Sequence, residues 1–209
     1  MKGNAAQRFG RLVGNLAVHP SYIPRYVSHN VLNHKSPLTL EVPWFSYAAI
    51  DFLEKFLRPG LAVCEFGSGG STLFFARRVK SVYSIEDNPK WFELVSRWLK
   101  EKGVPNVELR LLRPDSKNSA GFDKSACLHA VPNRPFDVFV LDGGDDETPL
   151  RPLCFQYLEK RVRPGGIIVV DDSWRYPSLR KHNKARWVEI FQSVGPCRPG
   201  VTSTDVFLY

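Results

Sequence analysis

From Leu61 to Ala76 the chain passes from an apolar run straight into a glycine cluster and on into a helix-forming segment. Leu61 to Phe66 reads as a strand, Gly67-Ser-Gly-Gly-Ser71 as the turn, and 71–79 as a helix. With no Cβ at Gly67, Gly69 and Gly70, the backbone turns sharply and a ligand can approach it closely. Glu65 stands at the strand tip, facing the crevice in which open α/β sheets bind ligands. The next apolar run begins at Ser81 and ends in Glu86, where a carboxylate can accept hydrogen bonds from both hydroxyls of a ribose. A GxGG pattern alone marks many ordinary turns, so context decides. Thr72 occupies the place of the third glycine of a dinucleotide fingerprint, and no lysine follows as a phosphate loop requires. What remains is a ligand that has a ribose but needs no diphosphate cradle.

These residues resemble the class I S-adenosylmethionine-dependent methyltransferases. Glu65-Phe-Gly-Ser-Gly-Gly-Ser71 is similar to that family's first motif and Glu86 to its ribose-binding acid. Phe136-Asp-Val-Phe-Val-Leu-Asp142 resembles its fourth strand, and Arg163-Pro-Gly-Gly-Ile-Ile-Val-Val-Asp-Asp172 its fifth. The likeness runs from about Pro43 to the C-terminus. It implies a Rossmann-like α/β fold: a seven-stranded, mostly parallel sheet, helices on both faces, and one antiparallel strand near the C-terminus. It also implies that Glu65, Gly67, Ser68, Gly69, Gly70, Ser71, Glu86 and Asp142 bind S-adenosylmethionine.

At 209 residues with 43% hydrophobic content, the chain suits one well-buried α/β core. No run approaches the length of a membrane span, and the first ten residues lack the apolar centre of a secretory signal. A cytoplasmic protein is the expectation. Cys64, Cys127, Cys154 and Cys197 show no CxxC pair and read as reduced core residues. The net charge of +8 gathers in residues 1–45 and in the run Arg175 to Arg186, which contains no acid. Such an excess can attract nucleic acid, acidic lipid or an anionic substrate, but no aromatic-interleaved basic repeat points to nucleic acid.

Residues 1–45 are expected to form an extended arm or cap, because Pro20, Pro24, Pro37 and Pro43 break any long helix. Residues 46–209 form the cofactor-binding domain. An amphipathic helix is predicted after Pro43, ending at Pro59-Gly60. Strands are predicted at 61–66, 81–86, 106–112, 136–142 and 166–172, with helices at 71–79, 89–102 and 149–162. Residues 113–135 show no clear pattern. The segment 187–194 fits a helix face and a strand about equally, whereas Thr204 to Tyr209 is strand-like. In the resembled fold these close the sheet as a hairpin, with 195–200 as its turn.

Methyl transfer from a sulfonium needs alignment more than covalent help, plus a base where the acceptor is a hydroxyl. Asp142 ends the fourth strand and Asp171-Asp172 the fifth, so parallel pairing brings three carboxylates together. Their repulsion would be relieved by Mg²⁺ or another divalent cation. The pattern is similar to that of metal-dependent small-molecule O-methyltransferases, which implies Asp142, Asp171 and Asp172 as metal ligands. The alternative is that the Asp pair binds local backbone while Asp142 touches the cofactor. Relatives of the catechol type carry a Lys or His after the fourth-strand acid, where this chain has Gly143-Gly-Asp-Asp-Glu147. The catalytic candidates are therefore Asp142, Asp145 and Asp171. Trp174-Arg-Tyr176 is expected over the acceptor pocket, and Trp44 either as a lid or in the core. The expected reaction is methylation of a small molecule at a hydroxyl oxygen, with anionic acceptors among the candidates. A nucleic-acid or protein methyltransferase, or a non-catalytic nucleoside-binding module, is the alternative. A membrane is not an expected partner, nucleic acid is a less favoured one that stays open, and an arm of this kind is compatible with a homo-oligomer.

Overall fold

A computed structural model describes residues 4–32, 35–112, 128–143 and 150–209. Seven strands form one sheet in the order β3-β2-β1-β4-β5-β7-β6. They are β1 (Ala62–Phe66), β2 (Ser81–Glu86), β3 (Val107–Leu111), β4 (Phe136–Leu141), β5 (Val162–Val170), β6 (Trp187–Val194) and β7 (Val201–Leu208). The first five pair in parallel, and β7 runs antiparallel to both of its neighbours, β5 and β6. This is the Rossmann-like methyltransferase fold. The order reverses between β1 and β4, and a crevice opens at such a switch point beyond the strand C-termini. Register sets what meets there. Phe66 pairs with Leu141 and Leu141 with Val170, so Gly67, Asp142 and Asp171 emerge side by side.

Alternation along the central strands feeds two cores, as period-two side-chain geometry requires. Val63, Val138, Val140, Ile167 and Val169 point to one face, with Ile50 and Leu53 of α4 (Tyr47–Phe56) and Phe74 and Phe75 of α5 (Gly70–Ala76). Cys64, Phe139, Leu141, Ile168 and Val170 point to the other, against Cys154, Phe155 and Leu158 of α7 (Leu150–Leu158). The helix predicted at 89–102 is α6 (Pro89–Glu101), with Asn88 capping the N–H groups of Lys90 and Trp91.

The N-terminal segment is helical, not extended. α1 spans Ala5–Val18, and α2 (Ile23–Val27) and α3 (Pro37–Leu40) follow. All four prolines lie after α1, which starts on a reciprocal capping box: Asn4 accepts from the N–H of Gln7, and the Gln7 side chain accepts from the N–H of Asn4. Leu12 and Leu16 pack against the core, and Asn15 Oδ1 accepts from the Val194 amide at 3.0 Å, which lays α1 across β6 and β7. The ambiguous segment 187–194 is strand β6. It pairs with β7 along its whole length while Trp187 and Ile190 remain exposed, so pairing rather than an apolar face decides its form. Among the described residues no helix is long and apolar enough to cross a membrane.

Candidate functional site

The glycine turn is held from both sides by carboxylates. Glu65, wholly buried, accepts from Ser71 Oγ at 2.9 Å, Ser84 Oγ at 2.8 Å and Thr72 Oγ1. Burial pushes its pKa up to about 7 although those three hydroxyls oppose the shift. Glu86 takes Ser68 N at 2.8 Å and Ser68 Oγ at 2.7 Å on one oxygen, and the amides of Asp87 and Asn88 on the other. Burial raises its pKa too, against the bonds from Asn88 and Ser68. Both acids therefore order the loop itself. Trp91 of α6 adds a third hold, its indole N–H donating to the Ser68 carbonyl at 2.6 Å. At Gly67, with φ of 91°, a Cβ would lie 2.8 Å from the Gly143 nitrogen, so the β1 and β4 turns touch backbone to backbone. At Gly70 a Cβ would overlap the carbonyl oxygens of Pro37 and Val42. Only glycine admits either approach.

On the other side of the Gly67–Gly143 contact lie the three aspartates, each answered by an arginine. Asp171, fully buried, accepts from Thr204 Oγ1 at 2.7 Å and faces Arg198 Nη2 at 3.6 Å. Asp172, in the left-handed region at φ 48°, accepts from Thr202 Oγ1 at 2.9 Å, Trp174 Nε1 at 3.2 Å and Arg198 Nη1 at 3.3 Å. Asp142 lies 3.6 Å from Arg151 Nη2. Arg151 is itself buried and donates to the backbone carbonyls of Asp142, Gly143 and Asp171, the last at 2.5 Å, clamping the tips of β4 and β5 together. Burial and then Asp171 push the Asp142 carboxyl up to about 8, against Arg151 and Arg198. Asp171 rises to about 6, chiefly through burial. Burial would also raise Asp172, but Arg198 and the Thr202 and Trp174 hydrogen bonds outweigh it and hold its pKa low.

This donor set does not fit a divalent cation. Such an ion needs several carboxylate oxygens turned inward, whereas Asp171 and Asp172 are engaged by Thr204, Thr202, Trp174 and Arg198. Among the described residues no group of three or more acidic, His or Cys side chains could hold a metal ion. Among the described residues, Asp142, Asp171 and Asp172, the expected metal ligands, instead face two guanidinium groups, which supply positive charge there.

The aspartates open on a cleft of about 490 Å³, walled by the tips of β4 and β5, the 195–200 turn, Trp44 and one face of α1. Trp44 is half exposed, with the Arg198 guanidinium 5.1 Å from its ring centroid; it is a cleft wall, not a core residue. Of the three residues expected over the pocket, Trp174 and Arg175 line the cleft while Tyr176 packs against the second core, and Arg180 of the same basic run turns to Asp205 at 2.6 Å. Asp145 lies outside the described residues.

The three aspartates expected at adjacent strand ends do lie together, but the arginines that face them were not among the expected site residues. Arg151 carried a usable signal: with Cys154, Phe155 and Leu158 it follows the i, i+3, i+4, i+7 spacing of a buried face, and a buried arginine requires an acidic or carbonyl partner. Arg8, Arg11 and Arg198 carried none, since they meet the site only through tertiary packing.

A family model described as a methyltransferase domain matches residues 64–173. Among solved structures, an rRNA methylase from Streptococcus thermophilus is 18% identical, with a TM-score of 0.55 over 83% of this chain and 97% of that one. A provisionally described methyltransferase from Streptococcus mutans in complex with SAH is 13% identical, with a TM-score of 0.56 over 84% and 99%. A provisionally described O-methyltransferase from Klebsiella pneumoniae is 15% identical, with a TM-score of 0.58 over 97% and 99%. No curated protein matches the chain.

Proposed function

The chain belongs to the methyltransferase-domain family and is an S-adenosylmethionine-dependent methyltransferase; from that premise we propose that its acceptor is a small molecule methylated at a hydroxyl oxygen. The observation that carries this is the cleft beside Asp142, whose roughly 490 Å³ lies within the range of small-molecule sites. In this reading Gly67 to Ser71 would hold the cofactor, Glu86 would accept from its ribose hydroxyls, and the bound sulfonium would supply an activated methyl group to the cleft beside Asp142. The acceptor oxygen attacks the methyl carbon, the carbon–sulfur bond breaks to leave a neutral thioether, and the hydroxyl proton passes to Asp142. A carboxylate whose pKa has been lifted to about 8 is, once ionised, a stronger base than an ordinary one, and its ionised share grows as pH rises through that value. Arg151 orients it and keeps it ionisable, and Arg198 does the same for the Asp pair behind it. No cation is needed to lower the hydroxyl pKa in this scheme.

A nucleic-acid acceptor is the second reading, supported by the arginines around the cleft and by likeness in fold to an rRNA methylase. Transfer of a labelled methyl group to a panel of small phenols and sugar derivatives, run beside mixed rRNA and DNA, separates the two. Label in the small-molecule arm alone, undiminished by excess chelator, is the expected result. Label in nucleic acid alone would overturn it.

A further inference from the structure

Arg198 acts on the cleft from a turn. It stands on residues 195–200 between β6 and β7, reaches Asp171 at 3.6 Å and Asp172 at 3.3 Å, and lays its guanidinium 5.1 Å from the ring centroid of Trp44. Pro199 and Gly200 of the same turn line the cleft beside it. The place of the turn therefore sets both the charge facing the aspartate pair and one wall of the cleft. Yet the turn does little to hold itself: among the described residues no backbone hydrogen bond crosses it inside the Val194–Val201 pair. Cys197 takes a positive φ of 54°, a conformation that persists in a side-chain-bearing residue only where the surroundings enforce it.

The enforcing contacts come from the N-terminal segment. Asn30, on the single π-helical turn Ser28–Leu32 that follows α2, engages both ends of its carboxamide. Its Oδ1 accepts from the Arg198 amide at 2.7 Å, and its Nδ2 donates to the carbonyls of Gly195 at 3.2 Å and Tyr26 at 3.1 Å. One side chain thus grips the turn at Gly195 and Arg198 and ties it to Tyr26, which is buried in the first core. Cys197 Sγ adds a bond to the Lys35 carbonyl at 2.8 Å, and at Gly195 a Cβ would overlap the Phe45 carbonyl oxygen. An amide suits this place because it offers an acceptor and two donors in one plane. Asn30 itself stands outside the cleft lining, so its effect on the cleft passes through the turn.

We propose that Asn30 is a positioning residue for methyl transfer: by fixing the 195–200 turn it places Arg198 against Asp171, Asp172 and Trp44, and so sets the acceptor cleft from outside it. The proposal rests on the reading of that cleft as the acceptor site. It makes the N-terminal segment a working part of the site. Without the clamp, the aspartate pair loses a fixed guanidinium and Trp44 loses the cation stacked on it, and small displacements of this kind are costly where a reaction depends on alignment.

The test begins with NMR of the arginine Nε–H groups in the full chain, the Arg198 signal being identified by its absence in Arg198→Lys. That donor is buried and meets no protein acceptor, so its signal reports where the side chain lies. Asn30→Ala is expected to move or broaden it. Asn15→Ala, which removes another bond from the N-terminal segment to the hairpin, at the Val194 amide, is expected to leave it in place. Asn30→Asp has the same shape but sets an acceptor where two donors stood, and as a second variant it is expected to act as Asn30→Ala does. Thermal melts establish that each variant is folded. In labelled methyl transfer to whichever acceptor in the panel above takes label, Asn30→Ala and Arg198→Ala are each expected to lower turnover by about tenfold or more with S-adenosylhomocysteine affinity unchanged, and the double variant to be no slower than Arg198→Ala. An unmoved Arg198 signal in the folded Asn30 variants would overturn the proposal. So would additive losses in the double variant, or a loss in Asn15→Ala as large as that in Asn30→Ala. Absence of label in every acceptor would instead fault the reading beneath it, and the Arg198 signal, which needs no acceptor, would then decide the placement alone.

Discussion

Glu65 is a buried acid held by three hydroxyls under the glycine loop, with no cation beside it among the described residues. Its pKa rises from an ordinary 4.5 to about 7 on folding, so between those values the folded state binds a proton that the unfolded state has released. Stability from this group is therefore lost as pH climbs through that window, by on the order of 3 kcal/mol in total, and is constant above it. Asp142 and Asp171 move in the same direction, so a comparison with Glu65→Gln isolates the term. Urea midpoints for wild type should fall relative to the variant between pH 4.5 and 7; parallel curves would show that Glu65 does not titrate there. Asp142 gives the catalytic counterpart. A base must be deprotonated to act, and its pKa is raised, so turnover should rise as pH increases through about 8. Asp142→Asn should lower turnover by ~100-fold or more while cofactor affinity holds within a few-fold; a variant with wild-type turnover would remove Asp142 from the chemistry. At this scale the acids were legible, since glycine spacing and strand ends located Glu65, Glu86, Asp142, Asp171 and Asp172. Their partners were not, because a hydroxyl or guanidinium bound across the sheet leaves no local pattern.

Elements repeat that division. The buried central strands were readable from their apolar runs. β6 was not, because edge strands are specified by pairing more than by hydrophobic pattern. α7 shows how an expected stripe can be rotated: Leu150, Leu153, Cys154, Tyr157 and Leu158 suggest one face, but the buried set is Arg151, Cys154, Phe155 and Leu158. The helix turns to seat Arg151 over the tips of β4 and β5. Replacing it with Met should cost about 3–5 kcal/mol, since three carbonyls and a carboxylate lose their donor. A chemical-denaturation loss under ~1 kcal/mol would show that water fully replaces the clamp. α1 was hidden by prolines that lie beyond it. Its capping box predicts that Asn4→Ala costs about 1 kcal/mol, felt locally as faster amide exchange in residues 5–9 and not in the sheet; unchanged exchange there would show the cap to be idle.

At the scale of the molecule, the division of labour follows from topology. Parallel register places the loop acids and the three aspartates on two sides of one backbone contact, Gly67 against Gly143, so cofactor and acceptor would meet where β1 and β4 part. The helix α1 and the 195–200 turn wall the cleft beyond the aspartates with arginines from both halves of the chain. The fold and the glycine loop with its acids could be read from local sequence; the arginine-lined cleft is assembled from distant segments and could not. The proposed methyl transfer requires that the nucleoside crevice be occupied. The most direct measurement is calorimetric titration of S-adenosylhomocysteine into wild type and Glu86→Ala, with thermal melts confirming that both are folded. Binding at one molecule per chain, weakened at least about tenfold in the variant through loss of a charge-assisted interaction, is the expected result. No binding by folded wild type, or equal binding by the two proteins, would contradict it.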